Sequence, residues 1–113
     1  MKRFMVIYHA PDDLMAQTEK SSPEEMKKGM EGWMKWAEKC GDRLVEFGNP
    51  LAGGLKLIPG GGSNKSTRGV VGYSVLQADS IEEAKELLED HPHLAWDGAC
   101  EIEVHEAMPP PGQ

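Results

Sequence analysis

Basic residues are scarce in this chain of 113 residues: 12 lysines and arginines stand against 19 aspartates and glutamates, a formal net charge of −7. Nucleic acid is bound through clustered positive charge, and no basic patch is present, so nucleic acid is excluded as a partner. An anionic membrane surface is disfavoured for the same reason. No apolar run approaches the ~20 residues that cross a bilayer. The opening apolar run breaks after Tyr8, too short for a signal peptide. Cysteine is nearly missing: Cys40 and Cys100 are the only two. They lack metal-ligand spacing and make no disulfide framework, so a reduced, cytoplasmic protein without metal or cofactor is expected.

What is there alternates between strand and helix patterns. Residues 3–9 (RFMVIYH) form an unbroken apolar run rich in β-branched and aromatic types, the mark of a central strand buried on both faces. Ala10-Pro11-Asp12-Asp13 ends it. Residues 14–21 have no clear period and are expected to be a surface loop or short helical turn. Ser22-Pro23-Glu24-Glu25 then opens a helix, with Ser22 as cap, Pro23 at the first position and Glu25 closing a capping box. Met26, Met30, Trp33, Met34 and Ala37 recur at helical spacing and are expected to form its core stripe, with Trp36 off it. Gly41 stops the helix.

Residues 43–48 (RLVEFG) read as a second strand. Residues 49–69 are a glycine-rich connection, expected to be a mobile loop, with a short strand at Leu55-Lys56-Leu57-Ile58. Within it, Pro59-Gly60-Gly61-Gly62-Ser63-Asn64-Lys65-Ser66 fails as a phosphate-binding loop, because Pro59 and Asn64 replace the two required glycines and no helix follows. Residues 70–78 (VVGYSVLQA) are the third strand. Ser80-Ile81-Glu82-Glu83 is a second capping box, followed by Ala84, Leu87 and Leu88 on a buried side. Pro92 ends that helix. Residues 100–106 alternate as a strand, Cys100, Ile102 and Val104 against Glu101, Glu103 and His105. Residues 1–108 thus make one domain, and residues 109–113 a proline-rich exposed tail.

The order is β-α-β-β-α-β, the ferredoxin-like pattern: an α+β fold with a four-stranded antiparallel sheet and two helices on one face. Two helices leave the other sheet face bare, and its apolar residues call for a second copy of the chain, a homodimer.

Four stretches carry a wider likeness: MKRFMVIYH, GWMKWAEKCGDRLVEFGNPL, VVGYSVLQADSIEEAKELLEDHPHL and CEIEVHEAMP. In them the chain resembles the YCII-related family, which includes the DGPF-domain proteins, within the dimeric α+β barrel superfamily. Gly72-Tyr73 and Ala78-Asp79-Ser80 match its strand-to-helix unit, and His91-Pro92 its helix-ending turn. The resemblance implies a dimeric α+β barrel. It also implies a small organic ligand, with cofactor-independent isomerase- or lyase-type acid–base chemistry as the enzymatic reading and a non-catalytic binding or regulatory module as the alternative. Two family features are missing. Gly29, Met30, Trp33 and Trp36 stand in the first helix where proposed enzymes carry a histidine that pairs with an aspartate. Ser66-Thr67-Arg68-Gly69 occupies the place of the Asp-Gly-Pro-Phe motif.

That leaves the turn His91-Pro92-His93 with Trp96 and Asp97. Imidazoles titrate near neutral pH and serve as general acid or base, so His91, His93 and Asp97 are the catalytic candidates, with Asp97 orienting a ring. The competing reading makes His91 a helix-terminal group and Pro92 a stop. His9, at the end of a central strand, and Trp36, Tyr73 and Trp96 are the ligand-binding candidates.

Overall fold

The apolar run at the start of the chain becomes the centre of the sheet. The computed structural model describes residues 1–112, so Gln113, the last residue of the proline-rich tail, lies outside it. Strand β1 (Lys2–His9) pairs antiparallel with β5 (Val70–Ala78) on one side and β6 (Glu101–Ala107) on the other. Strand β2 (Leu44–Glu46) adds to the far side of β5, giving the order β2-β5-β1-β6. Helices α2 (Pro23–Cys40) and α3 (Ile81–Leu88) complete the expected β-α-β-β-α-β series. Both begin as their capping boxes require: the Ser22 and Ser80 hydroxyls accept the backbone N–H of Glu25 and Glu83, each at 3.2 Å.

Alternation assigns the faces. Phe4, Val6 and Tyr8 of β1, with Ser74, Leu76 and Ala78 of β5, point towards the helices and are buried. Trp36, Cys40, Ala84 and Leu88 cover them to form the core. Met5 and Ile7, with Tyr73 and Val75, lie on the open face and are only partly covered.

Helix α2 is rotated from the expected orientation. Met26, Met30 and Met34 are 59, 51 and 51% exposed, whereas Trp36 is 4% exposed. Trp33, Trp36 and Cys40 form a competing stripe at spacings of three and four. Aromatic rings bury more apolar area than methionine, so the tryptophans set the rotation. The Trp36 indole N–H also donates to the Leu87 carbonyl at 2.8 Å, pinning α2 to α3.

Three other segments differ from expectation. Residues after the first turn form a helix, α1 (Asp12–Glu19). In the glycine-rich connection the expected short strand forms as β3 (Leu55–Leu57), and the difference is its pairing with a further strand, β4 (Ser63–Lys65), as a hairpin. Pro92 does not merely stop a helix: α3 ends at Leu88, Asp90 turns the chain with φ 62°, and Pro92 opens a short new helix, α4 (Pro92–Trp96). His91 is therefore the N-cap of α4 and not the last turn of α3. At the β2 edge, Gly48 (φ 84°) passes so close to β5 that a Cβ there would lie 1.7 Å from the Tyr73 carbonyl oxygen. Only glycine fits.

Candidate functional site

The sheet separates the expected site residues into two groups. His91 and His93 lie on the helix side; His9 and Tyr73 lie on or beside the open face.

His91 is fully buried. Its ring centroid is 4.4 Å from Trp36, 4.5 Å from Trp33 and 5.1 Å from Tyr8, so aromatic rings replace its water. Nδ1 accepts the His93 backbone N–H at 2.9 Å, the cap of α4. The neutral ring therefore carries its proton on Nε2 and donates it to the Tyr8 hydroxyl oxygen at 3.3 Å. Tyr8 in turn donates to Ser74 Oγ at 2.7 Å, because the Ser74 proton goes to the Phe47 carbonyl at 2.7 Å. The chain runs one way, His91 to Tyr8 to Ser74 to Phe47, and leaves none of the three side chains unpaired. Burial, with a smaller push from His93, lowers the His91 pKa to about 3. Burial drives the Tyr8 phenol far above its ordinary value against the opposing Ser74 hydrogen bond. Neither group is poised to exchange a proton near neutral pH.

His93 is also buried, and its Nε2–H donates to the His9 carbonyl at 2.8 Å. Its pKa is lowered, since burial outweighs the carbonyls of His9 and Glu101 that favour the charged ring. Asp97 organises the entry to β6: its Oδ1 accepts the Ala99 N–H at 2.8 Å, and its carbonyl accepts the Cys100 N–H at 3.1 Å. No hydrogen bond among the described residues joins it to either histidine. Trp96 is half-exposed, its ring 6.0 Å from His93. Trp36 belongs to the core. On the open face the Tyr73 hydroxyl donates to Glu46 at 2.6 Å.

His9 is the expected residue that borders a cleft. Its Nδ1–H donates to the Arg68 carbonyl at 2.7 Å. Nε2 lies 2.7 Å from Glu103 Oε1, close enough for an ion pair but without the alignment of a hydrogen bond. Glu103 also meets His105 Nε2 at 3.1 Å. That contact, aided by His9, holds the Glu103 carboxyl below the usual carboxylate range. Beside this cluster opens a cleft of about 290 Å3, lined by His9, Asp12, Thr67, Arg68 and Glu101 among others. Its size is near the lower bound of small-molecule sites, roughly 300 Å3. No group of three or more His, Cys, Asp or Glu side chains among the described residues is arranged to hold a metal.

Arg68 and Asp12 are the cleft residues that the sequence pattern passed over. The one available signal was a cation in the short link before β5, and its significance depends on Gly69 bringing that link against β1: the Ala10 N–H donates to the Gly69 carbonyl at 2.9 Å.

No protein-family model matches the chain, and no curated protein matches it in sequence. Among solved structures there is a match in fold. It is to a dehydrochlorinase. The 5-chloro-2-hydroxyhydroquinone dehydrochlorinase TftG from Burkholderia phenoliruptrix AC1100, in complex with 2,5-dihydroxybenzoquinone, superposes with a TM-score of 0.53 at 15% identity. The match covers 94% of this chain and 93% of TftG. This protein thus has the α+β barrel fold, over nearly its full length. At that identity TftG is a likeness in fold alone.

Proposed function

We propose that this protein is a YCII-related homodimer that binds a small hydroxylated or acidic organic molecule in the cleft at the end of β1. The carrying observation is that His9, Arg68, Asp12 and Glu101 line this one cleft together. Arg68 suits an oxyanion such as a phenolate, enolate or carboxylate. Asp12 and Glu101 suit hydroxyl donors. The fold likeness to a protein holding 2,5-dihydroxybenzoquinone, a small ring with hydroxyl and carbonyl oxygens, is in keeping with that class.

In the enzymatic reading, His9 is the acid–base group through Nε2, its ring oriented by the Nδ1–H bond to the Arg68 carbonyl, in isomerase- or lyase-type chemistry. His91, His93 and Asp97 then act as positioning residues, His93 through the His9 carbonyl. The dimer forms by closure of Met5, Ile7, Tyr73 and Val75 on the same face of a second copy, in the cytoplasm, where the free Cys40 and Cys100 stay reduced. A non-catalytic binding module is the second reading. It is favoured by both His9 ring nitrogens being engaged, Nδ1–H with the Arg68 carbonyl and Nε2 against Glu103.

The test is calorimetric titration with 2,5-dihydroxybenzoquinone and a panel of hydroxybenzoates. Saturable binding that Arg68→Ala abolishes, at unchanged melting temperature, is expected. Failure of every compound to bind, or binding indifferent to Arg68→Ala, removes the ligand site. Mass spectrometry of the incubated ligand separates turnover from binding, and sedimentation of Ile7→Glu at low protein concentration, expected to show loss of the sheet-face dimer, tests that contact.

A further inference from the structure

Helix α2 turns a row of methionines away from the core. Met26, Met30 and Met34 follow one another at intervals of one helical turn, and each is more than half exposed. Lys27, Glu31, Lys35 and Glu38 run along one side of the row, and with Met30 and Met34 they line a shallow groove of about 430 Å3. Among the described residues, none of these four charges takes part in an ion pair within the chain. Residues 23–31 are exposed all round, so the first half of α2 stands clear of its own sheet. The radius of gyration, 15.7 Å, accordingly exceeds the roughly 13 Å of a compact domain of this length. An alternating charged face explains the lysines and glutamates as solvated groups. It does not explain three methionines in register beside them, since exposed apolar rows mark contact surfaces.

The pattern is complementary to itself. In an antiparallel helix pair related by a two-fold axis, the same flank of each helix faces its counterpart, and early positions meet late ones. With the axis crossing α2 near its middle, Met30 faces Met34 of the second copy and Met26 faces Ala37. On the flank, Lys27 meets Glu38 and Glu31 meets Lys35. These four charges each find the opposite sign, while Glu24, one heptad before Glu31, lies beyond the paired stretch at the helix end. A partner of strong net charge gains little from the groove, because the two lysines and two glutamates that line it cancel. The alternation is the complement that the same helix supplies.

We propose that the outer face of α2 is an isologous interface between copies of this chain, closed as an antiparallel two-fold helix pair. It lies on the opposite side of the molecule from the open sheet face, so it adds a second contact and joins sheet-face dimers into a larger assembly. One helix pair covers far less than a standard interface of about 1,600 Å2, which makes the contact concentration-dependent. Its charge pairs make it salt-sensitive.

Offset cross-linking tests the geometry. Met30→Cys and Met34→Cys chains, one carrying a mass tag, are oxidised separately and mixed; Cys40 and Cys100 are buried and do not compete. Disulfide-linked dimers are expected in the mixture and not in either variant alone, because position 30 faces position 34 and not itself. Sedimentation of Lys27→Glu should show association weakened at least several-fold, and adding Glu38→Lys should restore it. An unlinked mixture, equal linking of one variant with itself, or a double charge reversal that associates no better than Lys27→Glu overturns the proposal. Ile7→Glu leaves the α2 cross-link in place, so a failed sheet-face dimer is distinguishable from a failed helix pair.

Discussion

Tyr8 and His91, 83 positions apart in the chain, meet at 3.3 Å with the His91 Nε2–H donating to the Tyr8 oxygen. The direction of that bond follows from the cap on the other ring nitrogen, where Nδ1 accepts the His93 N–H. The bond joins the central strand to the start of α4, and it makes His91 a structural group.

Tyr8→Phe leaves the His91 Nε2–H buried without an acceptor. An unsatisfied buried donor costs about 1–3 kcal/mol. The urea midpoint should fall by that energy divided by the slope, with the slope itself unchanged. A neutral result would show that the chain from His91 to Phe47 is not formed.

Acid should destabilise the protein through His91. Its folded pKa of about 3 lies below its ordinary 6.5, so as pH falls the unfolded chain takes up the proton first. The stability is fully present above about pH 6.5 and is lost progressively towards pH 3, by up to about 1.4 kcal/mol per pH unit. His93, also lowered, acts with the same sign. His91→Asn keeps a capping side chain but removes the titration. Denaturant titrations across pH should show a shallower acid limb for that variant.

Two alanine substitutions separate the two faces of α2. Trp36→Ala empties a core position and should cost about 3–5 kcal/mol. Met34→Ala at low protein concentration should change stability by less than about 0.5 kcal/mol, the range of ordinary surface substitutions. A loss of 2 kcal/mol or more at Met34, the lower end for a buried methionine, would place the methionines in the core.

Gly48→Ala combines a left-handed backbone, about 1–2 kcal/mol, with overlap on the Tyr73 carbonyl, typically a further 1–3 kcal/mol. Gly53 has φ 66° but nothing within 4 Å of the added Cβ, so Gly53→Ala should carry only the first of these costs. Thermal melts of the two variants should differ accordingly.

The sequence by itself determined the β-α-β-β-α-β order, the central place of β1 and the starts of both main helices. These depend on local periods and caps: five apolar or aromatic residues in a row from Phe4 to Tyr8, and a serine three residues before a glutamate. Only the tertiary structure decided the rest. The methionine and tryptophan stripes of α2 share a helical period, and the choice between them was made by the area each buries against β1 and by the bond to Leu87. Pro92 is compatible with ending one helix or beginning another, and the left-handed turn at Asp90 made it a beginning. The histidines looked alike as residue types. Aromatic rings drawn from β1 and α2 buried His91 as the cap of α4, while the approach of Gly69 to Ala10 set Arg68 beside His9. Such contacts join residues tens of positions apart, and no local pattern encodes them.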